Sequence, residues 1–472
     1  MKQVVLRGPL ITSSGYGEHA RQVFRWANSK KDWNVSTQLT PWGNTTWLIN
    51  PDYMGGVIGD IMQRSGPLER VGSDISFQIQ LPNEWTPGLG KKNIGVTAGV
   101  ETDICSQPWV EACARQVATY SKDHTIVVEK STLPVRTAEA IKSILKPNNK
   151  SSLEDPHKRS FDVLSNPEFL AEGSAINDLI KPDRVLIGGD NPKAIEALVE
   201  IYNNWVPKKK ILVTNIWSSE LAKLTANAFL AQRISSINSI SALCEATGAD
   251  VREVSRAIGS DTRIGAKFLD SGPGFGGSCL KKDILNLVYL SEYFGLPEVA
   301  KFWSEVVDLN NWHQGRISSL IIKNLFGTLS TKKIGVLGFA FKANTNDTRE
   351  SAAIQICKDL LEEGAFLSIH DPKVDPKQIA LDLNIEQDED INNEASKICK
   401  DSGWISSNLE NVFLNADAIL IMTDWEEYFS INWLEESKKM RSPSWVFDTR
   451  SVTEPSKVRE AGLKLWRIGD GS

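Results

Sequence analysis

One cysteine of this chain lies inside a glycine-rich run, with cations and a carboxylate close behind it. The run GFGGSCLKKD covers residues 274–283 and places Cys279 two residues before Lys281. Glycine lets the backbone approach a ligand closely because it has no Cβ. A thiol in such a bend can attack an electrophilic carbon, and a nearby lysine or helix N-terminus favours the reactive thiolate. An isolated cysteine beside a glycine turn is usually buried and inert, so the residues that follow Cys279 are what favour the reactive interpretation.

The run belongs to a longer series of motifs. The others are VVEKST at 127–132, SNPEFLAEG at 165–173, PDRVLIGG at 182–189, WSSELAKL at 217–224 and GFAFK at 338–342. In this order they resemble the motifs of the UDP-glucose 6-dehydrogenases, and the resemblance extends from about Trp109 to the C-terminus. It implies an NAD-dependent oxidoreductase of nucleotide-sugar metabolism.

The hydrophobic pattern of this region predicts α/β structure. From Thr125 onward, short β-branched runs alternate with amphipathic stretches, as expected for βαβ units on a parallel sheet. Strands are predicted at 126–128, 161–164, 184–187 and 210–213. The polar loop 147–156 is expected to be mobile.

A long helix is predicted from Trp217 to about Thr247, which contains no proline or glycine and has apolar positions at helical spacing. The resemblance implies that this helix forms a subunit interface, and burial within one subunit is the alternative. A second βαβ region begins at Lys332, and the acidic stretch 382–408 is expected to be a solvated loop and helix.

The predicted fold class is therefore α/β, with Rossmann-like doubly wound domains joined by a long central helix. The predicted domains are a glycosyltransferase-like segment (1–112), the distal half of an NAD-binding domain (113–214), a central helical dimerisation and catalytic domain (215–328) and a UDP-binding domain (329–472).

The first hundred residues lack the expected dinucleotide fingerprint. The sequence from Gly15 to Ala20 formally fits G-x-G-x-x-A, but a lone match is weak evidence. In a Rossmann unit the glycines follow the first strand at once, and an acidic residue about 20 positions later holds the ribose. Here the glycines do not follow the predicted strand Val4–Leu6 at once, and the stretch 34–40 has no acidic residue.

This segment has a resemblance of its own. The runs RGPL at 7–10, SGYG at 14–17, LPNEW at 81–85 and GVTAGVETD at 95–103 are similar to the N-terminal half of a two-domain glycosyltransferase. The two resemblances meet at residues 109–115. We therefore expect a chimera, in which a glycosyltransferase-like α/β unit replaces the first part of the NAD domain.

Bulk properties exclude several classes of protein. The 472 residues, 41% hydrophobic and 24% charged, predict a globular protein of several domains. A net charge of −6 argues against nucleic-acid binding. Scattered cysteines, no signal peptide and no long apolar run predict a cytoplasmic protein without membrane contact. The few histidines lack ligand spacing, so no metal is expected.

The resemblance implies a specific chemistry, the two-step oxidation of the C6 alcohol of UDP-glucose to UDP-glucuronate. Cys279 would hold the intermediate as a thiohemiacetal and then a thioester. Lys223 would stabilise the developing oxyanion, and Asn227, also a catalytic candidate, lies one turn later on the same helix face. Asp283, with Thr132, would position water, and Glu168 would act as general base.

The resemblance also implies the binding residues. The expected cofactor contacts are Ser131, Thr132, Glu172, Lys282 and Arg349. The expected substrate contacts are Glu168, Phe169, Leu170, Ala171, Glu172, Lys223, Asn227, Gly274, Phe275, Gly276, Phe341, Lys342, Arg450 and, from a neighbouring subunit, Arg263. Asp270 departs from the family, which usually has a lysine there, and a carboxylate near a diphosphate would weaken UDP-glucose binding.

Three functions remain open from the sequence. The first is a UDP-glucose 6-dehydrogenase that uses NAD and assembles as a homodimer or larger oligomer, with activity impaired by the missing fingerprint. The second is a UDP-sugar-binding pseudoenzyme without NAD turnover. The third is a glycosyltransferase fragment, which lacks the donor-binding half.

Overall fold

The computed structural model describes residues 1–12, 15–41, 47–66, 73–80, 86, 88–96, 107–121, 123–132, 135–146, 159–385 and 403–471. The chain forms two compact units, Met1–Lys223 and Leu224–Ser472. The predicted four-domain boundaries differ from this division and stay a prediction.

The first unit alternates strands and helices. Its elements are β1 (Lys2–Gly8), α1 (Gly15–Asn28), β2 (Trp33–Leu39), α2 (Val57–Gln63), β3 (Ser73–Ile79), β4 (Gly90–Val96), α3 (Gln107–Tyr120), β5 (Thr125–Glu129), α4 (Thr137–Leu145), β6 (Phe161–Ser165), α5 (Ala175–Ile180), β7 (Val185–Gly188), α6 (Pro192–Tyr202), β8 (Ile211–Thr214) and α7 (Ile216–Thr247), whose later part belongs to the second unit.

These strands form two four-stranded sheets, ordered β2-β1-β3-β4 and β5-β6-β7-β8. All pairings are parallel except a single antiparallel pair between Ser165 and Gly188. The four strands predicted from the sequence are confirmed as β5 to β8, with small shifts at their ends. Parallel strands place their carboxyl ends at one edge, which is where ligands bind in such sheets.

The first 96 residues fold around their own core. Leu6 of β1, Phe24 of α1 and Ile79 of β3 are buried together in it. The strand predicted at Val4–Leu6 extends over Lys2–Gly8, since β1 pairs along its whole length with β2. Segments 81–85 and 97–103, on which the glycosyltransferase resemblance partly rests, lie outside the described residues, as does the predicted loop 147–156.

The second unit begins with helices and ends with a sheet. After α7 it contains α8 (Val251–Gly259), α9 (Leu280–Tyr293), α10 (Pro297–Asn324), β9 (Lys333–Leu337), α11 (Ala352–Glu362), β10 (Phe366–His370), α12 (Pro376–Leu383), β11 (Trp404–Ser406), β12 (Ala418–Ile421), α13 (Trp433–Glu436), β13 (Trp445–Asp448), α14 (Pro455–Glu460) and β14 (Lys464–Arg467).

The six strands pair in parallel in the order β11-β10-β9-β12-β13-β14, which confirms the predicted second βαβ region. The central strand β12 is buried along its length. Leu420 belongs to one hydrophobic cluster and its neighbours Ile419 and Ile421 to another. Both faces of the sheet are therefore covered, as is typical of parallel sheets.

Two sequence predictions on this unit have different outcomes. The long helix is confirmed as α7, Ile216–Thr247. The acidic stretch 382–408 is only partly a loop: its ends belong to α12 and β11, and residues 386–402 lie outside the described residues. Within the described ranges, every helix is too short or too polar to span a bilayer.

The turn after β9 requires glycine, which gives a test of the fold. Gly338 has φ +93°, and a Cβ there would stand 2.4 Å from Cβ of Thr423. We expect Gly338→Ala to lower the free energy of unfolding by about 2–5 kcal/mol, the sum of left-handed backbone strain and overpacking. Urea unfolding followed by tryptophan fluorescence measures the loss.

Gly462→Ala is the matched control. Gly462 has a similar φ of +78°, but no atom lies within 4 Å of the point where its Cβ would stand, so only the backbone strain of about 1–2 kcal/mol applies. Equal losses in the two variants would show that the contact with Thr423 costs nothing.

Candidate active site

Cys279 lies at the start of a helix. It is the N-cap of α9 and is half-buried, with its Sγ 3.5 Å from Oγ of Ser278. The carbonyl of Cys279 accepts the first bond of the helix, from the N–H of Asp283, at 2.9 Å. Helix N-termini attract negative charge because their N–H groups point outward unpaired. The position suits a sulfur nucleophile.

The glycine loop before Cys279 is held by side chains of two long helices. Asn310 of α10 accepts from the N–H of Phe275 at 2.9 Å and donates to its carbonyl at 3.2 Å. Asn238 of α7 accepts from the N–H of Gly272 at 2.9 Å. Position 274 requires glycine because Asn310 lies so close to it. Gly274 has φ +129°, and a Cβ there would lie 2.8 Å from Oδ1 of Asn310.

His313 holds the same loop from α10. Its Nε2 lies 2.9 Å from the carbonyl oxygen of Gly272, and the side chain is fully buried. Burial, together with the charge of Arg316, lowers the pKa of His313 to about 4, so the ring is neutral near pH 7 and Nε2–H donates to Gly272. The loop is therefore fixed by neutral polar groups. The sequence analysis missed Asn238, Asn310 and His313, which carry no motif signal.

Asn227 and Asp283 form a buried pair. Nδ2 of Asn227 donates to Oδ2 of Asp283 at 2.6 Å, and both side chains are less than a tenth exposed. Asn227 comes from α7 and Asp283 from the first turn of α9, so this bond links the two helices beside Cys279. The structure thus brings together three of the predicted catalytic residues.

Residues of the predicted UDP-binding domain (329–472) contact the same loop. Arg450 is half-buried, donates to the carbonyls of Met422 and Phe341 at 2.9 Å each, and its Nη1 would lie 3.2 Å from a Cβ on Gly272. Burial lowers the pKa of this guanidinium from its ordinary value. The Phe341 ring faces Gly277, 3.0 Å from the position of a Cβ there.

Two neighbouring cations contact groups of the same region. Arg349 pairs with Asp347 at 2.8 Å, and its carbonyl accepts from the N–H of Gly277. Lys342 places its Nζ 5.4 Å from the Phe341 ring. Lys282 is exposed in the first turn of α9. The role of these three cations in binding stays a prediction.

The first unit brings together a second set of predicted residues. Nζ of Lys223 lies 3.3 Å from Oε1 of Glu168, and the lysine is 4% exposed. Glu168 also accepts from the N–H of Leu170 at 2.6 Å, which fixes the loop after β6. The carboxylate faces a cation that is held out of water, where electrostatic interactions are strong.

Phe169 lies between two cations. Its ring centroid is 3.8 Å from Cζ of Arg184 and 5.4 Å from Nζ of Lys223. Attraction between cations and an aromatic face is stronger where water is excluded. Arg184 belongs to a recognised motif, yet no local pattern indicates this stacking, because β6 and β7 bring the two residues together only in the folded sheet.

The remaining predicted contacts of the first unit follow β5 and β6. Ser131 and Thr132 come directly after β5, and Ala171 and Glu172 follow β6 in a loop where the N–H of Ala171 donates to Asp178 at 3.0 Å. Since β5 and β6 are parallel neighbours, both groups stand at the carboxyl edge of the sheet. This placement fits residues that hold the nicotinamide end of a dinucleotide.

The first βαβ element does not fit the pyrophosphate. Six residues separate the end of β1 at Gly8 from the start of α1 at Gly15, instead of a tight glycine turn. A Cβ on Gly17 would stand 2.3 Å from the carbonyl oxygen of Thr12, so this glycine packs against its own loop. No open cradle of glycine backbone results in the described part of this loop.

Arg21 fills the interior of that loop. It is buried and donates to the carbonyls of Leu10 and Thr12 at 2.9 and 2.8 Å. After β2, where a ribose-binding carboxylate is expected, the chain has Thr40 and Pro41. The adenosine half of NAD therefore finds none of its usual anchors among the described residues of this element.

Arg263 stands apart from the residues above. It is exposed and forms an ion pair with Asp261 at 2.6 Å. Asp270 is also exposed. The prediction that Arg263 serves a neighbouring subunit stays a prediction.

Models of one protein family match the chain in three consecutive segments. These are the NAD binding domain of the UDP-glucose/GDP-mannose dehydrogenase family at 97–206, its central domain at 217–312 and its UDP binding domain at 335–455. The chain is 50% identical to the UDP-glucose 6-dehydrogenase of Drosophila melanogaster over 365 residues, covering 76% of this chain and 75% of the relative. It is also 50% identical to that of Gallus gallus over 387 residues, covering 80% and 75%.

Solved structures extend the likeness to the first residues. A UDP-glucose dehydrogenase from Pyrobaculum islandicum is 25% identical with a TM-score of 0.69, covering 100% of this chain and 98% of that one. A UDP-D-ManNAc dehydrogenase from Pyrococcus horikoshii, 22% identical with a TM-score of 0.70 over 99% of both chains, shows the same fold. The predicted glycosyltransferase-like replacement of residues 1–112 is not supported, because a dehydrogenase fold covers that segment too.

The buried bonds of Asn310 give a test of the site. We expect Asn310→Ala to lower the free energy of unfolding by about 2–4 kcal/mol, since it leaves the N–H and carbonyl of Phe275 unpaired in a dry loop. Urea unfolding measures the loss. The control is Asn324→Ala at the end of the same helix, whose side chain bonds only the carbonyl of Leu320; an equal loss there would refute the role of Asn310.

Proposed function

This chain belongs to the UDP-glucose/GDP-mannose dehydrogenase family, and we propose that it acts as a UDP-glucose 6-dehydrogenase that uses NAD. The relatives with about half of their residues identical confirm the function and cofactor predicted from the sequence. The single observation that carries the chemistry is the thiol of Cys279 at the start of α9, beside a buried Asn227–Asp283 pair.

The proposed reaction oxidises one carbon twice. UDP-glucose, two NAD and one water give UDP-glucuronate, two NADH and three protons. Loss of the first hydride turns the C6 alcohol into an aldehyde, and the sulfur of Cys279 adds to that carbon to form a thiohemiacetal. Loss of the second hydride leaves a thioester; water then attacks C6, the C–S bond breaks, and the thiol is restored. The cofactor, when bound, supplies the hydride acceptor.

Lys223 and Glu168 have complementary roles in this proposal. A buried ammonium near the substrate oxygen stabilises the negative charge that develops when the alcohol or thioester carbonyl reacts. Glu168, which pairs with Lys223 and keeps partial contact with solvent, is suited to accept a proton from water as general base. The ion pair supports both assignments because it holds the two groups in one orientation.

The buried pair supports the thiol. Asn227 fixes the carboxylate of Asp283, one turn after Cys279, so this carboxylate can hold a proton or a water at a constant distance from the sulfur. Thr132 is the proposed partner of Asp283 in holding that water. For the cofactor, Ser131, Thr132 and Glu172 would hold the nicotinamide end, together with Lys282 and Arg349.

The substrate contacts are proposed in two groups. Glu168 to Glu172 with Lys223, and Asn227 with Gly274 to Gly276, would bind the sugar and phosphates. Phe341, Lys342 and Arg450 would bind the uridine side. Arg450 supports this assignment because two carbonyls hold its half-buried guanidinium in one orientation, and neither neutralises its charge.

We propose that the chain assembles at least as a homodimer. Large apolar side chains of α7 are exposed, namely Trp217, Leu221, Phe229 and Leu243, each at 43–58%. Further exposed aromatic residues of α9 and α10 are Tyr289, Tyr293, Phe302 and Trp312. Apolar patches of this kind are typical of interfaces, and their exposure argues against the alternative of a helix buried in one subunit.

The glycosyltransferase resemblance plays no part in this proposal. The second candidate function is a UDP-sugar-binding pseudoenzyme, and one observation favours it: the described part of the loop after β1 is filled by Arg21 and offers no pyrophosphate cradle. The two candidates differ in whether NAD is reduced.

Replacement of the nucleophile tests the proposal directly. We expect wild-type protein with UDP-glucose and NAD to form two NADH per UDP-glucuronate, and Cys279→Ala to slow this at least about a thousandfold, since the proposed mechanism has no other group to hold C6 between the two oxidations. Absorbance at the NADH band measures the rate. The control Cys113→Ala changes a half-buried thiol outside the proposed site. UDP-glucose binding with no NADH from wild type would favour the pseudoenzyme.

The missing anchors predict weak cofactor binding. Each lost charged hydrogen bond costs about 1.5–3 kcal/mol, and about 1.4 kcal/mol is tenfold in affinity. We therefore expect the Kd for NAD to exceed that of the Drosophila melanogaster relative by about a hundredfold or more. Isothermal titration of both proteins side by side measures it, with UDP as the control ligand. Equal Kd values for NAD would show that residues 1–96 supply other anchors.

A further inference from the structure

Two buried glutamates meet in the first unit, outside the residues assigned above. Glu129 is the last residue of β5 and is 7% exposed; Glu220, in the first turns of α7, is 4% exposed. Their side chains are hydrogen-bonded to each other. A bond between two carboxyl groups requires a proton on one of them, because two carboxylates offer only acceptors.

The other contacts show which group holds the proton. Oε2 of Glu220 accepts from the N–H of Arg136 at 2.7 Å, and Oε1 accepts from the N–H of Ala138 at 2.8 Å. Both oxygens of Glu220 are therefore acceptors. Oε2 of Glu129 is buried and receives no hydrogen bond from a donor in the described part of the chain. The proton belongs on Glu129, which donates it to Glu220.

Electrostatics agrees with this assignment. Burial, then the charge of Glu220 and the hydrogen bond to it, raise the pKa of Glu129 well above its usual range. Burial also raises the pKa of Glu220, while the N–H groups of Ala138 and Arg136 and the bond from Glu129 act in the opposite direction. The pair as a whole holds one proton at pH values where an exposed glutamate is ionised.

The cations near the Glu129–Glu220 pair make their direct contacts with groups outside the pair. Lys142 of α4 acts on Glu220 from a distance but forms an ion pair with Asp190. Lys130, next to Glu129, directs its Nζ to Tyr202 at 3.2 Å and to Asn166.

Two further cations lie nearby. The guanidinium of Arg136 stacks over the Trp217 ring and approaches Glu139 at 3.9 Å. Lys223, one turn after Glu220, pairs with Glu168. Each of these cations thus has contacts outside the glutamate pair, and a shared proton lowers the charge that the pair would otherwise bury.

The Glu129–Glu220 pair contacts both ends of the loop between β5 and α4. Glu129 ends β5 directly before Lys130, Ser131 and Thr132, and its carbonyl accepts from the N–H of Asn166 at 2.7 Å. Glu220 binds the N–H groups of Arg136 and Ala138, where the same loop enters α4. Glu220 is also three residues before Lys223 on α7. The two ends of the loop between β5 and α4 are therefore tied to the helix turn that carries Lys223.

We propose that Glu129 and Glu220 are positioning residues that share one proton, with Glu129 as donor, and thereby hold Ser131 and Thr132 in place beside the helix that presents Lys223. The effect on catalysis rests on the proposed dehydrogenase function, whereas the shared proton does not.

The proposal predicts an asymmetry between two matched variants. Glu129→Gln keeps a donor for Glu220 and cannot ionise, so it should retain kcat/KM within about threefold at pH 7. Glu220→Gln turns an N–H₂ group toward the N–H of Arg136 or Ala138, so it should raise KM for NAD about tenfold or more, with a smaller change in kcat. Glu129→Ala should resemble Glu220→Gln, and the control Glu139→Gln, exposed on α4, should resemble wild type.

The pH dependence of unfolding tests the proton itself, without any activity. A carboxyl with a raised folded-state pKa stabilises the fold fully below its unfolded pKa, and this contribution is lost as pH rises toward the folded pKa. The urea midpoint of Glu129→Gln should therefore rise relative to wild type between pH 5 and pH 8, while that of Glu139→Gln should not. In wild type labelled with ¹³C at glutamate Cδ, one resonance at pH 7 should have the shift of a protonated acid and vanish in Glu129→Gln.

Opposite results overturn the proposal. A protonated resonance that survives Glu129→Gln, or a midpoint difference that does not change with pH, removes the shared proton from Glu129. If Glu129→Gln loses as much kcat/KM as Glu129→Ala, the donor role is refuted even when the fold is stable. A wild-type protein that forms no NADH refutes the proposed function alone, since the resonance and the urea midpoints still report on the pair.

Discussion

The hydrogen bonds between the Asn310 side chain and the backbone of Phe275 are the constraint on which the position of Cys279 depends. A loop rich in glycine has little conformational preference of its own, so its shape must be imposed from outside. Asn310, Asn238 and His313 impose it from two helices that are held by their own cores. Because the loop leads directly into α9, fixing Phe275 and Gly272 also fixes the start of that helix and with it Cys279.

The groups that hold the loop differ in charge from the groups that would do the chemistry. Asn310, Asn238 and neutral His313 are uncharged, which avoids the large cost of a buried ion without a partner. In the first unit the charged residues are instead buried in compensating sets: Lys223 with Glu168, and Glu129 with Glu220 through one proton. Removing one member of either set would leave a buried polar or charged group uncompensated, so both sets constrain the loops at the carboxyl edge of β5 and β6.

Much of this fold could be predicted from local pattern, but the contacts between distant residues could not. Alternating apolar runs located β5 to β8, and the absence of glycine and proline located α7, because these signals depend on neighbouring residues. Glu129 and Glu220 are far apart in sequence, and their meeting follows from the sheet order and the entry of α7. The same holds for Arg184 over Phe169. The glycosyltransferase resemblance rested on short runs between residues 7 and 103, and it is not supported, because a dehydrogenase fold covers that segment as well.

The first βαβ element lacks the usual NAD anchors, whereas the proposed reacting groups are held in place by their own contacts. The two findings are compatible, because the first affects the binding free energy of NAD and the second affects the chemical step. Cys279, Asn227 and Asp283 are positioned by contacts within the second unit, and Lys223 and Glu168 by contacts of the second sheet of the first unit. None of the contacts described for them involves the loop after β1. Binding energy from remote parts of a cofactor lowers the free energy of the transition state as well as that of the bound state, so its loss reduces kcat/KM even where every reacting group is in place. If the proposed site residues act as assigned, the reaction of this chain is limited by how tightly NAD binds and not by the placement of the reacting groups.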